Sequence, residues 1–271
     1  MHFCHTAGCG KSLTKFQEEG ISPAAVRRVY GATTITDMEI IYEDNHIIAI
    51  NKACGEIVMI DQTGDAPLTD QVKEYIKQKY QKPGNVFLGL PHRIDRPTSG
   101  IVLMARTSKV LTRLNNMFQK KDEIKKIYWA VVNAAPDPPD GKLEHYITRS
   151  REVNKSYARE KETEGSKFAS LSYRTIAKSD RYYLLEIELH TGRHHQIRAQ
   201  LHRIGIKIKG DLKYGYPRSN PDGGIHLHAR RIEMIHPVRK EPLIITAPPP
   251  DDPLWNVFVK MVEAEEKGRD R

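Results

Sequence analysis

The stretch that most constrains this chain is Leu90–Arg106. There a loop crowded with polar groups, His92-Arg93-Ile94-Asp95-Arg96-Pro97-Thr98-Ser99-Gly100, runs straight into the apolar segment Ile101–Ala105. Gly and Pro punctuate the loop, and the apolar run behind it suits a buried strand. Asp95 lies between Arg93 and Arg96, so these two cations are expected to hold its carboxylate as a fixed anion. An ionised carboxylate on a loop carried by a rigid strand is what a carboxylate nucleophile requires. An ion-paired loop that only shapes a turn fits the same residues, because ion pairs are often purely structural.

Short strands and amphipathic helices alternate on both sides of this loop. Ile40–Tyr42 and Ile47–Ile50 read as a hairpin turning at Asp44-Asn45. In Asn51-Lys52-Ala53-Cys54-Gly55, Cys54 is expected to be a small buried residue, not a reactive thiol. Thr69 is expected to cap a helix through Tyr80, with Leu68, Val72, Ile76 and Tyr80 on one side and Pro83-Gly84 ending it. Ser108–Lys120 repeats the design, with Val110, Leu111, Leu114 and Phe118 as its apolar face. Strands are expected at Ile127–Val132, Tyr182–His190, Ile225–Ile235 and Leu243–Thr246, and an amphipathic helix at Leu254–Val262, with a fraying tail after Glu263. Arg149–Lys167 is so charged that it reads as a solvated excursion.

Charge narrows the partners. A net charge of +9 and a pI near 9.3 point to a polyanion. Arg193–Lys213 holds six Lys/Arg against one acid, Asp211, a density that suits contact with phosphates through Arg193, Lys207 and Lys209, although a solvated helix face fits it as well. His194 and His195 are adjacent and His202 stands apart, so the three do not present ligand spacing, and no metal is expected. No apolar run reaches membrane length, no signal-peptide pattern opens the chain, and the three cysteines suit a reducing compartment. A cytoplasmic protein, without a membrane partner and monomeric, is the expectation.

Residues 1–37 lack sustained periodicity and are expected to form a poorly ordered extension, with one short helix near Pro23–Tyr30 and no zinc site from Cys4, His5 and Cys9. Met38 is then a candidate native start, and residues 38–271 the catalytic domain.

The segment HRIDRPTSG resembles the HRLDxxTSG signature of the RluA-like pseudouridine synthases. Three further stretches are similar in order and spacing: Lys126-Ile127-Tyr128-Trp129-Ala130-Val131-Val132, Thr191-Gly192-Arg193-His194-His195-Gln196-Ile197-Arg198, and His226-Leu227-His228-Ala229-Arg230. The likeness extends from about Ile40 to Pro250, with Ala53 standing where the family usually has a proline. It implies an α+β pseudouridine synthase fold, a large mixed, mostly antiparallel sheet flanked by helices. It implies isomerisation of uridine in RNA, without cofactor or metal, in a member lacking the S4-type RNA-binding domain. Asp95 then takes the nucleophile's place, attacking C1′ of the ribose or C6 of the base, with the resemblance favouring C1′. Tyr128 matches the tyrosine that stacks on the flipped uracil, and Arg198 the arginine that orients the aspartate. Arg93 resembles the residue that fills the gap left by the base. Leu227 is placed as a wall of the base pocket and His195 as a substrate contact. Two other classes compete: a non-catalytic RNA-binding protein on the same fold, and a carboxylate-dependent nuclease. The first would have lost Asp95 or Tyr128, and the second usually gathers several acids around metal ions.

Overall fold

The computed structural model describes residues 38–60, 64–120 and 123–269. The expectations for residues 1–37 lie outside these. From Glu39 onward the chain forms one unit, an α+β arrangement around a 10-stranded sheet.

The chain opens with the expected hairpin, β1 (Glu39–Glu43) and β2 (Ile47–Lys52). Asp44 shapes the turn, its Oδ1 accepting from the backbone N–H groups of His46 and Ile47, each at 2.8 Å. Helix α1 (Leu68–Lys79) follows. It starts one residue before Thr69, which does not cap it. The N–H groups of Leu68 and Thr69 donate to the carbonyls of Ile57 and Val58, so no side-chain acceptor is required. Leu68, Val72 and Ile76 are buried as expected, whereas Tyr80 is 42% exposed and sends its hydroxyl to Glu43. Strand β3 (Ser99–Ala105) carries the Asp95 loop and is buried along its whole length. Helix α2 (Ser108–Gln119) is capped by Thr107, whose side chain accepts from the Val110 N–H. Its buried face is Val110, Leu114 and Met117, each contributing about 1.5–3 kcal/mol. Phe118 is only half-buried and stacks on His92, ring centroids 4.8 Å apart.

The rest of the sheet is β4 (Ile124–Val132), β5 (Asp140–Ser150), β6 (Lys155–Arg159), β7 (Lys167–Lys178), β8 (Tyr183–Leu189), β9 (Leu227–Ile235) and β10 (Pro242–Thr246). The charged segment 149–167 is thus not all excursion. It contains β6, an edge strand that buries Ser156 and turns Tyr157 and Arg159 outward. Strand order is β1-β2-β3-β9-β4-β8-β7-β5-β6, with β10 beside β9. The one parallel pairing in this order is β3 with β9, through Ser99 opposite His228 and Gly100 opposite Ala229.

Alternation along β4 divides the core. Ala130 and Val132 pack with Leu185, Ile187 and Leu227 on one face, joined by Ile197 and Leu201 of α3 (Gln196–Arg203). Trp129 and Val131 pack on the other face with Trp255 and Phe258 of α4 (Pro253–Arg269). Helix α4 continues through Arg269, so the chain past Glu263 is helical where a fraying tail was expected. Among the described residues no helix is long and apolar enough to cross a membrane.

Candidate active site

On the α3 face of the sheet lies a cavity of about 610 Å³, lined by the Asp95 loop, Tyr128 and Leu227, and by Arg193, His195 and Arg198 at and before α3. Polar bonds from several directions pin the loop. The Arg96 carbonyl accepts from the Gly55 N–H and from Lys52 Nζ, and the Pro97 carbonyl from the Ile225 N–H. Lys52 is fully buried and donates also to the carbonyls of Ala53 and Glu56. Burial lowers its pKa to about 8, against the opposing pull of Glu56. Behind the loop, His228 Nε2 donates to the Ala247 carbonyl, so its Nδ1 accepts from Ser99.

The cations next to Asp95 in sequence are not its partners. Arg96 turns back to the Gly55 carbonyl and to Asp65, and Arg93 is exposed at the cavity rim. The partner is Arg198, 103 positions away, whose Nη1 donates to Asp95 Oδ2 at 3.1 Å. Arg198 in turn gives Nε and Nη2 to the two oxygens of Asp211, at 2.7 and 2.8 Å. The side chains of Arg198 and Asp211 are 4% and 1% exposed, while Asp95 keeps 26% open to the cavity. Asp211 was legible in the sequence only as the lone acid of a basic stretch.

His195 supplies a second approach to Asp95. It precedes α3 with a left-handed φ of 53°, and its Nε2 lies 3.5 Å from Asp95 Oδ2. Its Nδ1 is 3.0 Å from the Tyr214 hydroxyl. Burial, then Arg198, lowers its pKa to about 2, so the ring is neutral and carries one proton. The Tyr214 hydroxyl also accepts from the Ser156 N–H at 2.9 Å and donates to the Ser156 carbonyl at 3.0 Å. The imidazole therefore lines the cavity from a largely buried position, 8% exposed.

Tyr128 sits on β4 with its ring at the cavity and its hydroxyl without a hydrogen-bond partner among the described residues. Burial, then the Asp95 charge, raises its pKa. Leu227 is 4% exposed and serves both the core cluster and the cavity wall. Arg193 is exposed at the rim, its Nε tied to the Phe168 carbonyl at 2.9 Å. Lys207 and Lys209 do not line the cavity; Lys209 Nζ is bonded to Asn220 at 2.7 Å. The basic stretch thus splits between a buried arginine, a rim arginine and lysines directed elsewhere. Cys54 is half-buried where full burial was expected, and its thiol donates to Asp222 at 2.9 Å. Burial, then Asp222, raises its pKa to about 12, which keeps it unreactive.

Fold and cavity together define an enzyme built on a half-open carboxylate gripped by a buried guanidinium, with arginines at its entrance. A family model described as RNA pseudouridylate synthase matches residues 46–203. Transfer RNA pseudouridine synthase C of Salmonella typhimurium is 33% identical over 232 residues, covering 78% of this chain and 85% of that protein. Ribosomal large subunit pseudouridine synthase D of Neisseria meningitidis is 31% identical over 241 residues, covering 84% of this chain and 62% of that protein. Human RNA pseudouridylate synthase domain containing 4 shares the fold, with a TM-score of 0.67 at 21% identity, over 83% of this chain and 93% of that one. The chain belongs to the RNA pseudouridylate synthase family and is an RNA-modifying isomerase.

Proposed function

We propose that this enzyme isomerises specific uridines in structured transfer or ribosomal RNA to pseudouridine, with Asp95 as nucleophile and the target base flipped into the cavity. Extruding the base costs a few kcal/mol of stacking, offset by contacts made only with the extruded nucleotide. An Asp95 oxygen attacks C1′; the N1–C1′ bond breaks, and its electron pair leaves with the uracil. The uracil turns within the cavity, C5 attacks C1′, and the Asp95 carboxylate departs with its electron pair. Loss of the C5 proton and uptake of a proton at N1 complete the isomerisation. No electrons are gained or lost overall.

Arg198 orients Asp95, and Tyr128 stacks on the base. Its raised pKa keeps the phenol protonated near neutral pH, which suits it to donating a hydrogen bond better than to taking the C5 proton alone. The released carboxylate, in the same cavity, is the better proton acceptor. Leu227 bounds the base, Arg93 fills the gap in the RNA stack, and Arg193 meets the backbone. The observation that carries this reading is the Asp95–Arg198 pair at the wall of a cavity of about 610 Å³ that it shares with Tyr128, room enough for an extruded nucleotide.

The test is product formation on uridine-labelled transfer and ribosomal RNA, with and without chelator. Wild-type protein should form pseudouridine in both conditions, and Asp95→Asn should form none while still binding RNA. Product from Asp95→Asn would remove the nucleophile. Mapping the pseudouridines lost from a deletion strain assigns the target; the Salmonella and Neisseria relatives, by their names, act on different RNAs.

A further inference from the structure

The face of the sheet turned away from α3 is only partly covered. Along β5, His145 points toward α3 and meets Gln200 there at 3.1 Å, so alternation turns Tyr146 and Thr148 to the opposite face. Cross-strand pairing then sets Phe168 of β7 and Arg159 of β6 on either side of Tyr146, and Tyr157 of β6 beside Thr148. Helix α4 packs on this same face, but at Ala177 and Leu184, toward the other end of β7. Tyr157 and Phe168 are left 42% and 36% exposed.

We propose that this outer face, built from Tyr146, Tyr157 and Phe168 with Lys155 and Arg159, binds a single-stranded stretch of the substrate RNA flanking the extruded uridine. The proposal rests on the reading of the cavity as an RNA uridine site. Three observations favour an unpaired strand. The first is the rings themselves. Tyr146 and Phe168 meet edge-on, centroids 5.8 Å apart at 70°, which fixes their orientation. An unpaired base can stack on an exposed ring, whereas a duplex keeps its base faces covered and would offer only phosphates. The second is charge. Lys155 Nζ lies 5.6 Å from the Tyr157 ring centre, and no carboxylate pairs with Lys155 or Arg159 among the described residues. Glu144, on the same face, is taken by Lys142 at 2.5 Å, and Glu160 by Arg203 at 3.2 Å. The other acids of this segment, Glu152, Glu162 and Glu164, lie in the turns beyond the two ends of β6.

The third is continuity with the cavity. Arg193 at the rim is tied through Nε to the Phe168 carbonyl, and His190, which lines the cavity, bonds Ser172 of the outer face at 2.8 Å. A strand leaving the cavity past Arg193 therefore comes onto Phe168 and Tyr146 before it reaches β6. Sheet propensity alone accounts for an exposed ring on an edge strand, but not for its placement among unpaired cations beside the rim. Stacking of this kind tolerates any base, because every base has a π-face. The surface thus adds affinity and leaves the choice of uridine to the cavity.

The experiment is fluorescence anisotropy of the full chain with a labelled oligoadenylate of about twelve nucleotides, which holds no uridine, and with an RNA duplex of the same length. Folding is checked by circular dichroism. Tyr157→Ala should weaken oligoadenylate binding by about 5- to 100-fold and duplex binding by no more than about twofold. Tyr157→Phe keeps the ring and should stay within about twofold of wild type on both. No measurable oligoadenylate binding by the wild type, an unchanged Kd in Tyr157→Ala, an equal loss on the duplex, or a loss in Tyr157→Phe as large as in Tyr157→Ala would each overturn the proposal. If Tyr157→Ala does not fold, Arg159→Ala decides. It should reduce the slope of log affinity against log salt by about 0.7, and an unchanged slope would overturn the proposal. Pseudouridine formation by the wild type on uridine-labelled transfer and ribosomal RNA separates the two levels. Without product, the isomerase reading falls even where oligoadenylate binding depends on Tyr157; with product but no dependence on Tyr157, only the outer surface falls.

Discussion

Replacing Gly100 by Ala should loosen the sheet and misplace the Asp95 loop together. Gly100 follows the Asp95 loop, has a φ of +108°, and pairs with Ala229 of β9. A Cβ at this position would lie 2.4 Å from the Ala229 oxygen, 2.6 Å from its nitrogen and 2.9 Å from its carbonyl carbon. All three are backbone atoms of a central strand, so no side chain can swing aside. The backbone conformation alone costs a non-glycine residue about 1–2 kcal/mol. Separating the strands also loses about two ladder hydrogen bonds, at about 0.5–1.5 kcal/mol each. The sum is about 2–5 kcal/mol, which for a unit of this size lowers Tm by roughly 4–20 °C at about 2–4 °C per kcal/mol. Gly55→Ala is the control: its φ is also positive, at 85°, but nothing lies within 4 Å of its added Cβ. It should show only the conformational cost. Thermal unfolding followed by circular dichroism, with single-turnover rates below Tm, reads both consequences. The rate should fall in Gly100→Ala even where the protein is fully folded, because β3 holds Asp95 against Arg198. A Gly100→Ala protein no less stable than Gly55→Ala and equally active would refute the argument.

Arg198→Lys should cut activity severely, by about 10²–10³-fold, because one ammonium cannot hold both carboxylates as the planar fork does; activity within threefold of wild type would show that charge alone suffices. Reversing the rim arginines, Arg93 and Arg193, to Glu should weaken RNA binding and flatten its salt dependence more than reversing Lys207 and Lys209, and filter binding at several salt concentrations decides the order. Asp44 should contribute to acid stability: burial opposes its ionisation, but hydrogen bonds from Ile47, His46 and Tyr42, with His236 nearby, lower its pKa overall. Its contribution is complete above the ordinary carboxylate value of about 4 and is lost as pH falls through the lowered folded value. Urea midpoints measured from pH 6 downward should therefore fall less steeply in Asp44→Asn, and equal slopes would count against this. A chain beginning at Met38 is expected to fold and retain activity, and loss of either would make residues 1–37 integral.

The sequence was most legible where one period or one turn decides the structure. The Asp95 loop and β3 follow from Gly, Pro and an apolar run, and the β1–β2 hairpin from Asp44-Asn45. The basic edge strand β6 was hidden because only Ser156 points inward, so its composition is that of a solvated loop. Sequence proximity misled in the site itself. Arg93 and Arg96 flank Asp95, yet successive residues in a turn project in different directions, and Arg96 is consumed by Gly55 and Asp65. Counting lysines and arginines between Arg193 and Lys213 likewise gave a density, not a surface: the same stretch buries Arg198 and ties Lys209 to Asn220.

The pairing of Arg198 with Asp211 has no local signature either, because one lies on α3 and the other before a 3₁₀ turn, 13 positions on. What joins Asp95 to both is the packing of the sheet. β3 meets β9 over two residue pairs, and β9 pairs with β4, on which Tyr128 and the support for α3 are arranged. The Asp95 carboxylate and the Arg198 guanidinium therefore belong to opposite ends of one connection through the sheet. A disturbance at Gly100 should therefore reach the site as a mis-aimed Asp95, although Gly100 does not line the cavity.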